Sequence, residues 1–193
     1  MRIGVLAAQG AFAEHIATLE KLQVAAIPVR LLQELKELDG LIIPGGESTS
    51  ISHLMLAYNL MSEIRTLAES GFPIFGTCAG MILLARNISD ADGITPLGVM
   101  DLTVRRNAFG RQVDSFETEL KIPALGEKPF PGIFIRAPLI EQAGSEVEIL
   151  ATLADGNIVA VRQGNLLAAA FHPELTGDSR FHRYFLDIVT DHQ

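Results

Sequence analysis

The chain reads FGTCAG at residues 75–80, and this stretch decides the fold. An apolar run from Phe72 to Gly76 leads into the only cysteine, Cys78, and a helix-like apolar run follows. Strand, tight turn, reactive side chain and helix form a nucleophile elbow, in which glycines permit a sharp turn and close packing. N–H groups at the start of the helix also stabilise a thiolate. A lone cysteine is often just a small buried hydrophobic residue, so other motifs must decide.

Apolar runs before this stretch predict further strands and helices. Short strands are predicted at 3–8, 25–31 and 38–44, and helices follow the first and third of them. The helix after the third strand is predicted to be continuous through residues 51–67, with N-caps offered by residues 48–50. Strands that alternate with helices predict an α/β fold, with a mostly parallel sheet flanked by helices on both faces.

The pattern becomes β-rich beyond residue 98. Asp155-Gly156-Asn157 and Gln163-Gly164-Asn165 each lie between apolar stretches, which is typical of hairpin turns. A closing helix is predicted from about Ser179. The 193 residues are 48% hydrophobic and contain no repeat, low-complexity stretch or linker. They are therefore predicted to form a single domain over 1–193.

Charge and cysteine content restrict the partners and the compartment. The chain has 23 acidic and 15 basic residues, a formal net charge of −8. This argues against a nucleic acid or an anionic membrane as a partner, since both need clustered Lys and Arg and the densest basic spot is Arg105-Arg106. One cysteine fits a reducing cytosol, and no apolar run approaches the roughly 20 residues of a membrane helix. A cytoplasmic protein is predicted.

A cysteine nucleophile needs a base, and the base needs an orienting partner. Among the five histidines, His172 is best placed, directly after the apolar run 166–171. Pro173 favours extended chain, in which residues two apart point to the same side. Glu174 would then hold one imidazole nitrogen while the other faces Cys78. A single His-x-Glu more often only closes a strand, but together with the elbow it indicates catalysis. The remaining histidines are predicted to face solvent: His15, His53, His182 and His192.

Acyl transfer also needs N–H donors for an oxyanion. One candidate is the N–H of Ala79, directly after the nucleophile. Another is the stretch PGGES at residues 44–48, which can equally be a plain strand-to-helix turn. The glycine spacing fits no dinucleotide or Walker-type loop. The chain has no Cys-x-x-Cys, no His-Glu-x-x-His and no carboxylate cluster with metal spacing, so neither a metal nor a cofactor is predicted.

The motifs PGGES, GTCAG and HPE, in this order, resemble the triad-type glutamine amidotransferases. The order Cys, His, Glu differs from that of α/β-hydrolases. Within the superfamily the chain most resembles the glutaminase subunits of pyridoxal 5′-phosphate synthase. The resemblance covers nearly the whole chain, and its more specific motifs lie at 106–117 and 134–138, beside the opening stretch 4–15.

The resemblance implies a flavodoxin-like architecture and a glutaminase. L-Glutamine would be hydrolysed through a cysteine thioester, and the ammonia would pass to a (β/α)₈-barrel synthase subunit that builds pyridoxal 5′-phosphate. Cys78 is implied as nucleophile, His172 as base and Glu174 as orienting acid, with Gly46 and Ala79 in the oxyanion hole. The implied glutamine pocket is formed by Gly46, Glu47, Ser48, Arg106, Ile135 and Arg136. An arginine can indeed pair with the substrate carboxylate, although Arg106 can also be a surface loop charge.

Three other functions stay open at this point. The nearest is a glutaminase serving another synthase, for example in histidine or nucleotide biosynthesis. A stand-alone cysteine hydrolase of γ-glutamyl conjugates would use the same triad, with a wide pocket and turnover independent of a partner. A non-catalytic binding module would keep the fold, but such proteins usually lack a triad residue, and this chain keeps all three.

Overall fold

The computed structural model describes residues 1–106 and 115–192, which contain twelve strands and five α-helices. The elements, in chain order, are β1 (Arg2–Leu6), α1 (Phe12–Lys21), β2 (Ala25–Val29), β3 (Gly40–Ile43), α2 (Ser48–Ala57), α3 (Leu60–Glu69), β4 (Ile74–Thr77), α4 (Ala79–Leu84), β5 (Ala85–Ile88), β6 (Met100–Arg105), β7 (Ser115–Leu120), β8 (Phe130–Ile135), β9 (Leu139–Ala143), β10 (Glu148–Thr152), β11 (Ile158–Gln163), β12 (Leu166–Ala169) and α5 (Arg180–His192). None of these helices is long and apolar enough to cross a membrane.

One large mixed sheet carries most of the strands. Its order is β2-β1-β3-β4-β12-β11-β9-β6-β5, with β10 paired to β11, while β7 and β8 form a separate antiparallel pair. The strands from β2 to β12 in this order are parallel neighbours, and the antiparallel pairs follow from β12 to β6. The predicted α/β class with a β-rich C-terminal half is confirmed, and so are the hairpin turns before and after β11.

Helices cover both faces of this sheet, as predicted. On β4, Phe75 packs its ring against Phe181 and Phe185 of α5, with centroids 5.5 and 5.6 Å apart. The next residue, Gly76, faces the opposite side, where a Cβ atom would lie 2.7 Å from Leu84 of α4. Since neighbouring strand residues point to opposite faces, α5 and α4 lie on different sides of the sheet.

Two details of the helix predicted after the third strand are wrong. The continuous helix is in fact the pair α2 and α3, because Asn59 adopts a left-handed conformation with φ 58° and interrupts it. The N-cap of α2 is Glu47 and none of the three hydroxyl residues at 48–50. The carboxylate of Glu47 reaches the N–H groups of Thr49 and Ser50 in their place.

Candidate active site

Cys78 lies on the sharp turn between β4 and α4. It is the N-cap residue of α4 and has φ 50° and ψ −104°, a conformation that residues other than glycine rarely adopt. Its N–H donates to the Ala169 carbonyl of the neighbouring strand β12 at 2.8 Å, which fixes the turn against the sheet. The side chain is largely buried, with Sγ 3.9 Å from the Ile135 carbonyl oxygen. This is the geometry of a nucleophile elbow.

His172 and Glu174 follow the end of β12, the strand beside β4. His172 Nδ1 and Glu174 Oε1 are 2.7 Å apart, and both side chains are buried. The His172 N–H donates to the Ile133 carbonyl of β8 at 2.8 Å. The expected extended chain is wrong here, since Pro173–Leu175 form a 3-10 helix. The tight turn nevertheless brings the Glu174 carboxylate back onto the imidazole.

The surroundings of His172 favour its protonated form. Burial lowers the pKa of His172, but hydrogen bonding to Cys78 and Glu174 and the charges of both outweigh it and raise the pKa to about 10. An imidazolium is therefore stable at neutral pH between the sulfur and the carboxylate. This is the charge state that a cysteine nucleophile requires of its base.

A cavity of about 200 Å³ opens above the sulfur. It is lined by Gly46, Glu47, Ser48, Cys78, Ala79, Ile82, Arg106, Ile135, Arg136 and His172. All six residues predicted to bind substrate therefore lie around one space together with Cys78 and His172. No sequence motif pointed to Ile82, whose position on α4 one turn after Cys78 brings it to the same wall.

The two residues predicted to form the oxyanion hole, Gly46 and Ala79, both lie at the cavity wall. Ala79 is the first residue of α4, so its N–H has no acceptor within the helix. The Gly45 carbonyl accepts from the Ala11 N–H at 3.3 Å. In a trans peptide the N–H of the next residue points the opposite way, so the Gly46 N–H faces away from Ala11.

The Glu47 carboxylate is committed to the start of α2. It accepts hydrogen bonds from Thr49 N, Ser50 N and Ser50 Oγ at 3.0, 2.7 and 2.7 Å. The hydroxyl of Ser50 and the N–H groups of both residues lower the pKa of Glu47 to about 2, against a smaller opposing effect of burial. The Glu47 carbonyl accepts from Gln9 Nε2 at 2.9 Å. Glu47 therefore shapes the cavity wall while its charge stabilises the helix.

Arg106 supplies a half-buried side chain to the cavity wall. Its backbone N–H donates to Asp90 Oδ1 at 3.0 Å, and its Nη1 donates to Thr49 Oγ1 at 3.3 Å. Its Nε is buried without a hydrogen bond among the described residues and lies 3.8 Å from Asp90 Oδ2. Arg136 is exposed and has φ 42°. Of the motif predicted at 106–117, positions 107–114 lie outside the described residues.

Two histidines predicted to face solvent lie behind the carboxylate instead. His15 and His182 are fully buried, and that prediction is wrong. His15 Nε2 is 3.3 Å from Glu174 Oε2 and 3.1 Å from Thr77 Oγ1. His15 Nδ1 and His182 Nε2 are 2.9 Å apart. Helical spacing could have indicated that His15 is buried, because it precedes the buried Leu19 by one turn. His53 and His192 are exposed, as predicted.

Known proteins resemble this chain over nearly its full length. The model of the SNO glutamine amidotransferase family matches residues 5–191. A pyridoxal 5′-phosphate synthase subunit PdxT of Moorella thermoacetica is 60% identical over 189 residues, covering 98% of this chain and 100% of the relative. A protein of the same name from Dehalococcoides mccartyi (strain ATCC BAA-2100 / JCM 16839 / KCTC 5957 / BAV1) is 58% identical, covering 98% of this chain and 97% of that one.

Solved structures agree with the fold. A crystal structure of a glutamine amidotransferase superposes with a TM-score of 0.93 at 49% identity, covering 97% of this chain and 98% of the other. A putative GMP synthase protein from Thermoplasma acidophilum has a TM-score of 0.73 at 18% identity, covering 100% of this chain and 95% of that one, which is evidence for the fold alone. The class of protein is thus a glutamine amidotransferase. Within that class, the chain belongs to the SNO glutamine amidotransferase family.

Proposed function

We propose that this chain is the glutaminase subunit of a pyridoxal 5′-phosphate synthase, with Cys78, His172 and Glu174 as its catalytic residues. The observation that carries the proposal is the 2.7 Å contact between His172 and Glu174 beside a cysteine on a nucleophile elbow. The full-length similarity to proteins named as subunits of that synthase supports the biosynthetic assignment. We also propose that residues 1–193 form a single domain. This domain contains the catalytic residues, the glutamine pocket and the oxyanion hole.

The first half-reaction forms a thioester. The Cys78 thiolate attacks the side-chain amide carbon of glutamine, and the carbonyl oxygen becomes an oxyanion that accepts from the N–H groups of Ala79 and Gly46. As this intermediate collapses, the C–N bond breaks and the His172 imidazolium gives its proton to the departing nitrogen. Ammonia leaves, and a γ-glutamyl thioester remains on Cys78.

The second half-reaction restores the enzyme. Neutral His172 removes a proton from water, and the resulting hydroxide attacks the thioester carbon. The C–S bond breaks, glutamate leaves, and the thiolate and imidazolium pair forms again. Glu174 stays ionised throughout and holds Nδ1–H, which keeps Nε2 directed at the sulfur and the water.

Two features of the cavity support free glutamine as the substrate. Its volume of about 200 Å³ is below the roughly 300–1,000 Å³ of typical ligand pockets, which suits a single amino acid better than a peptide conjugate. Arg106 lines the cavity, and its guanidinium offers donors to an α-carboxylate. Both features count against the stand-alone hydrolase of γ-glutamyl conjugates.

The ammonia is delivered to a synthase partner, for which we propose the (β/α)₈-barrel subunit of pyridoxal 5′-phosphate synthase. Ammonia released into water at neutral pH would be lost as ammonium, so a subunit that takes it up directly must lie over the cavity. We place the complex in the cytoplasm, because a cysteine nucleophile needs a compartment that keeps its thiol reduced.

The test is glutamate release from L-glutamine by the purified chain, with and without the pyridoxal 5′-phosphate synthase barrel subunit. Turnover that rises when the partner is added and disappears in Cys78→Ala is the expected result. Turnover indifferent to this partner would contradict the assignment and favour a stand-alone hydrolase or another synthase. No turnover under either condition would favour a binding module instead.

A further inference from the structure

A buried pair of histidines lies directly behind the proposed catalytic carboxylate. Glu174 Oε1 contacts His172, while the other oxygen, Oε2, faces His15 Nε2 at 3.3 Å. His182 Nε2 stands 2.9 Å from the other nitrogen of His15. We propose that His15 and His182 are positioning residues that hold Glu174 through a chain of N–H donors running in one direction. The inference rests on the proposed function, because Glu174 matters only if His172 is the base.

The direction of the chain follows from the carboxylate. An ionised carboxylate only accepts hydrogen bonds, and a neutral imidazole has one donor and one acceptor nitrogen. His15 must therefore carry its proton on Nε2, the nitrogen that faces Glu174 Oε2. Its Nδ1 is then a lone pair, and the proton in the contact with His182 must come from His182 Nε2.

The opposite arrangement is penalised twice. With the proton of His15 on Nδ1, the Nε2 lone pair would accept from the Thr77 hydroxyl but would face a carboxylate oxygen at 3.3 Å. His182 would then carry its proton on Nδ1, which is buried and has no hydrogen-bond partner in the part of the chain that the structure describes. A buried N–H without an acceptor is much rarer than a buried acceptor without a donor. Both contacts therefore select the Nε2–H form of each histidine.

Both histidines are neutral donors. Burial, followed by the nearby His182 and His172, lowers the pKa of His15 well below its ordinary value. Burial also lowers the pKa of His182 to about 4. Protonation of His15 or His182 would add a second positive charge, which is disfavoured because the imidazolium of His172 already balances the charge of Glu174. His182 thus fixes the proton position of His15, and His15 fixes the carboxylate without neutralising it.

This arrangement explains why α1 takes part in the active site. Glu174 Oε2 is buried and makes no hydrogen bond of regular geometry to the described residues, so the 3.3 Å contact with His15 Nε2 is the contact that a variant without His15 would remove from this anionic oxygen. The carboxylate would rotate away from His172 or take up a proton. In either case the imidazole would lose its orientation toward Cys78, and loss of the correct tautomer or position of a catalytic histidine costs orders of magnitude in rate.

The kinetic experiment compares His15→Leu, His15→Gln and His53→Leu with the wild type, each assembled with the synthase partner. We expect kcat of His15→Leu to fall on the order of 100-fold, with KM for glutamine changed by about twofold or less, since no substrate contact is lost. His15→Gln places an amide donor near the position of Nε2 and should restore a large part of kcat. His53→Leu, on the exposed face of α2, is the matched control with wild-type values.

A second measurement does not depend on turnover. Nitrogen-15 NMR of histidine-labelled protein distinguishes the two neutral tautomers, and we expect Nε2–H at both His15 and His182. Wild-type kcat in His15→Leu, loss of the same size in His53→Leu, or an Nδ1–H tautomer at His15 would overturn the positioning role. A wild-type complex that releases no glutamate would instead refute the proposed function, and the tautomers would still decide the donor chain. If His15→Leu fails to fold, His15→Gln and the spectra retain the test.

Discussion

Gly45 and His172 lie in such close contact that no side chain fits between them. A Cβ atom at position 45 would stand 2.5 Å from Cε1 of the imidazole and 3.1 Å from Nδ1, the atom that bonds Glu174. It would also lie 3.3 Å from Cβ of Cys78. The loop after β3 therefore forms a wall against the face of the proposed base, and it can do so only because residue 45 is glycine.

Replacing Gly45 by alanine is expected to damage activity more than stability. The imidazole must move by roughly 0.9 Å to bring Cε1 from 2.5 Å to the 3.4 Å of ordinary contact, which lengthens its bond to Glu174 and shifts Nε2 from the sulfur. A displacement of this kind costs about 100-fold in kcat. Glutamate release with the partner present measures the effect. The control is Gly98→Ala: Gly98 has φ +72° with open space around its Cα, so alanine there costs stability of about 1 kcal/mol while kcat stays at the wild-type value. Wild-type kcat in Gly45→Ala would contradict this account of the wall.

The proton on His172 should depend on the sulfur beside it. Hydrogen bonding and charge from Cys78 are among the effects that raise the pKa of His172 to about 10. We expect Cys78→Ala to lower that pKa, measured by NMR titration of the imidazole Cε1–H signal. A pKa of His172 unchanged in the variant would show that Glu174 alone sustains the imidazolium.

The same pKa sets a pH dependence of stability. His172 binds its proton more tightly in the folded chain than at its ordinary pKa of 6.5. Its contribution to the free energy of unfolding is therefore complete below about pH 6.5 and disappears as the pH rises towards 10. Urea unfolding between about pH 8.5 and 10 should show a steeper loss of stability in the wild type than in Cys78→Ala, because below the ordinary thiol pKa of about 8.5 the proton bound by His172 is offset by the one that the thiolate has released. Parallel curves would contradict the coupling of the two residues.

Arg106 is expected to act on substrate binding. Arg106 lines the cavity wall with its Nε 3.8 Å from Asp90 Oδ2, and a hydrogen bond to a charged group is worth about 1.5–3 kcal/mol. Arg106→Gln should therefore raise KM for glutamine by about 10- to 100-fold. The neighbouring Arg105→Gln removes an exposed charge paired with Glu141 and should leave KM unchanged. Equal effects of the two substitutions would indicate a general charge effect and would remove Arg106 from the pocket.

Local patterns in the sequence were sufficient to predict the elbow and the hairpins. Glycines around Cys78 and the turn residues beside β11 act within a few positions of the chain, so their spacing predicts the structure directly. The α/β class followed in the same way, from alternation of apolar runs. The break at Asn59 was missed because the apolar pattern continues through it, while the change of direction depends on one left-handed residue.

Long-range contacts explain the errors at the site. His15 and His182 are 167 positions apart in sequence, and each lies on an amphipathic helix where a histidine normally faces water. Their burial is decided by α1 and α5 packing on the same face of the sheet behind Glu174, which no local pattern contains. Glu47 was placed in the glutamine pocket by resemblance and does line the cavity, and its carboxylate forms hydrogen bonds to the first turn of α2, which the resemblance did not indicate.

A side chain at position 80 is expected to reduce the stability of the fold, whereas a side chain at position 45 reduces turnover. A Cβ atom on Gly80 would overlap the Ile43 carbonyl oxygen of β3, and backbone on both sides prevents relief by a side-chain shift. Gly80→Ala must therefore move α4 away from the sheet, at a cost of about 3 kcal/mol or more, at the upper end of the range for overpacking. The free energy of unfolding in urea measures this cost. Gly177→Ala, where the same atom meets nothing within 4 Å, should leave the free energy of unfolding unchanged or slightly raised. A Gly80→Ala chain as stable as Gly177→Ala would show that α4 is not pressed onto β3, and the position of Cys78 at the start of that helix would lose its physical explanation.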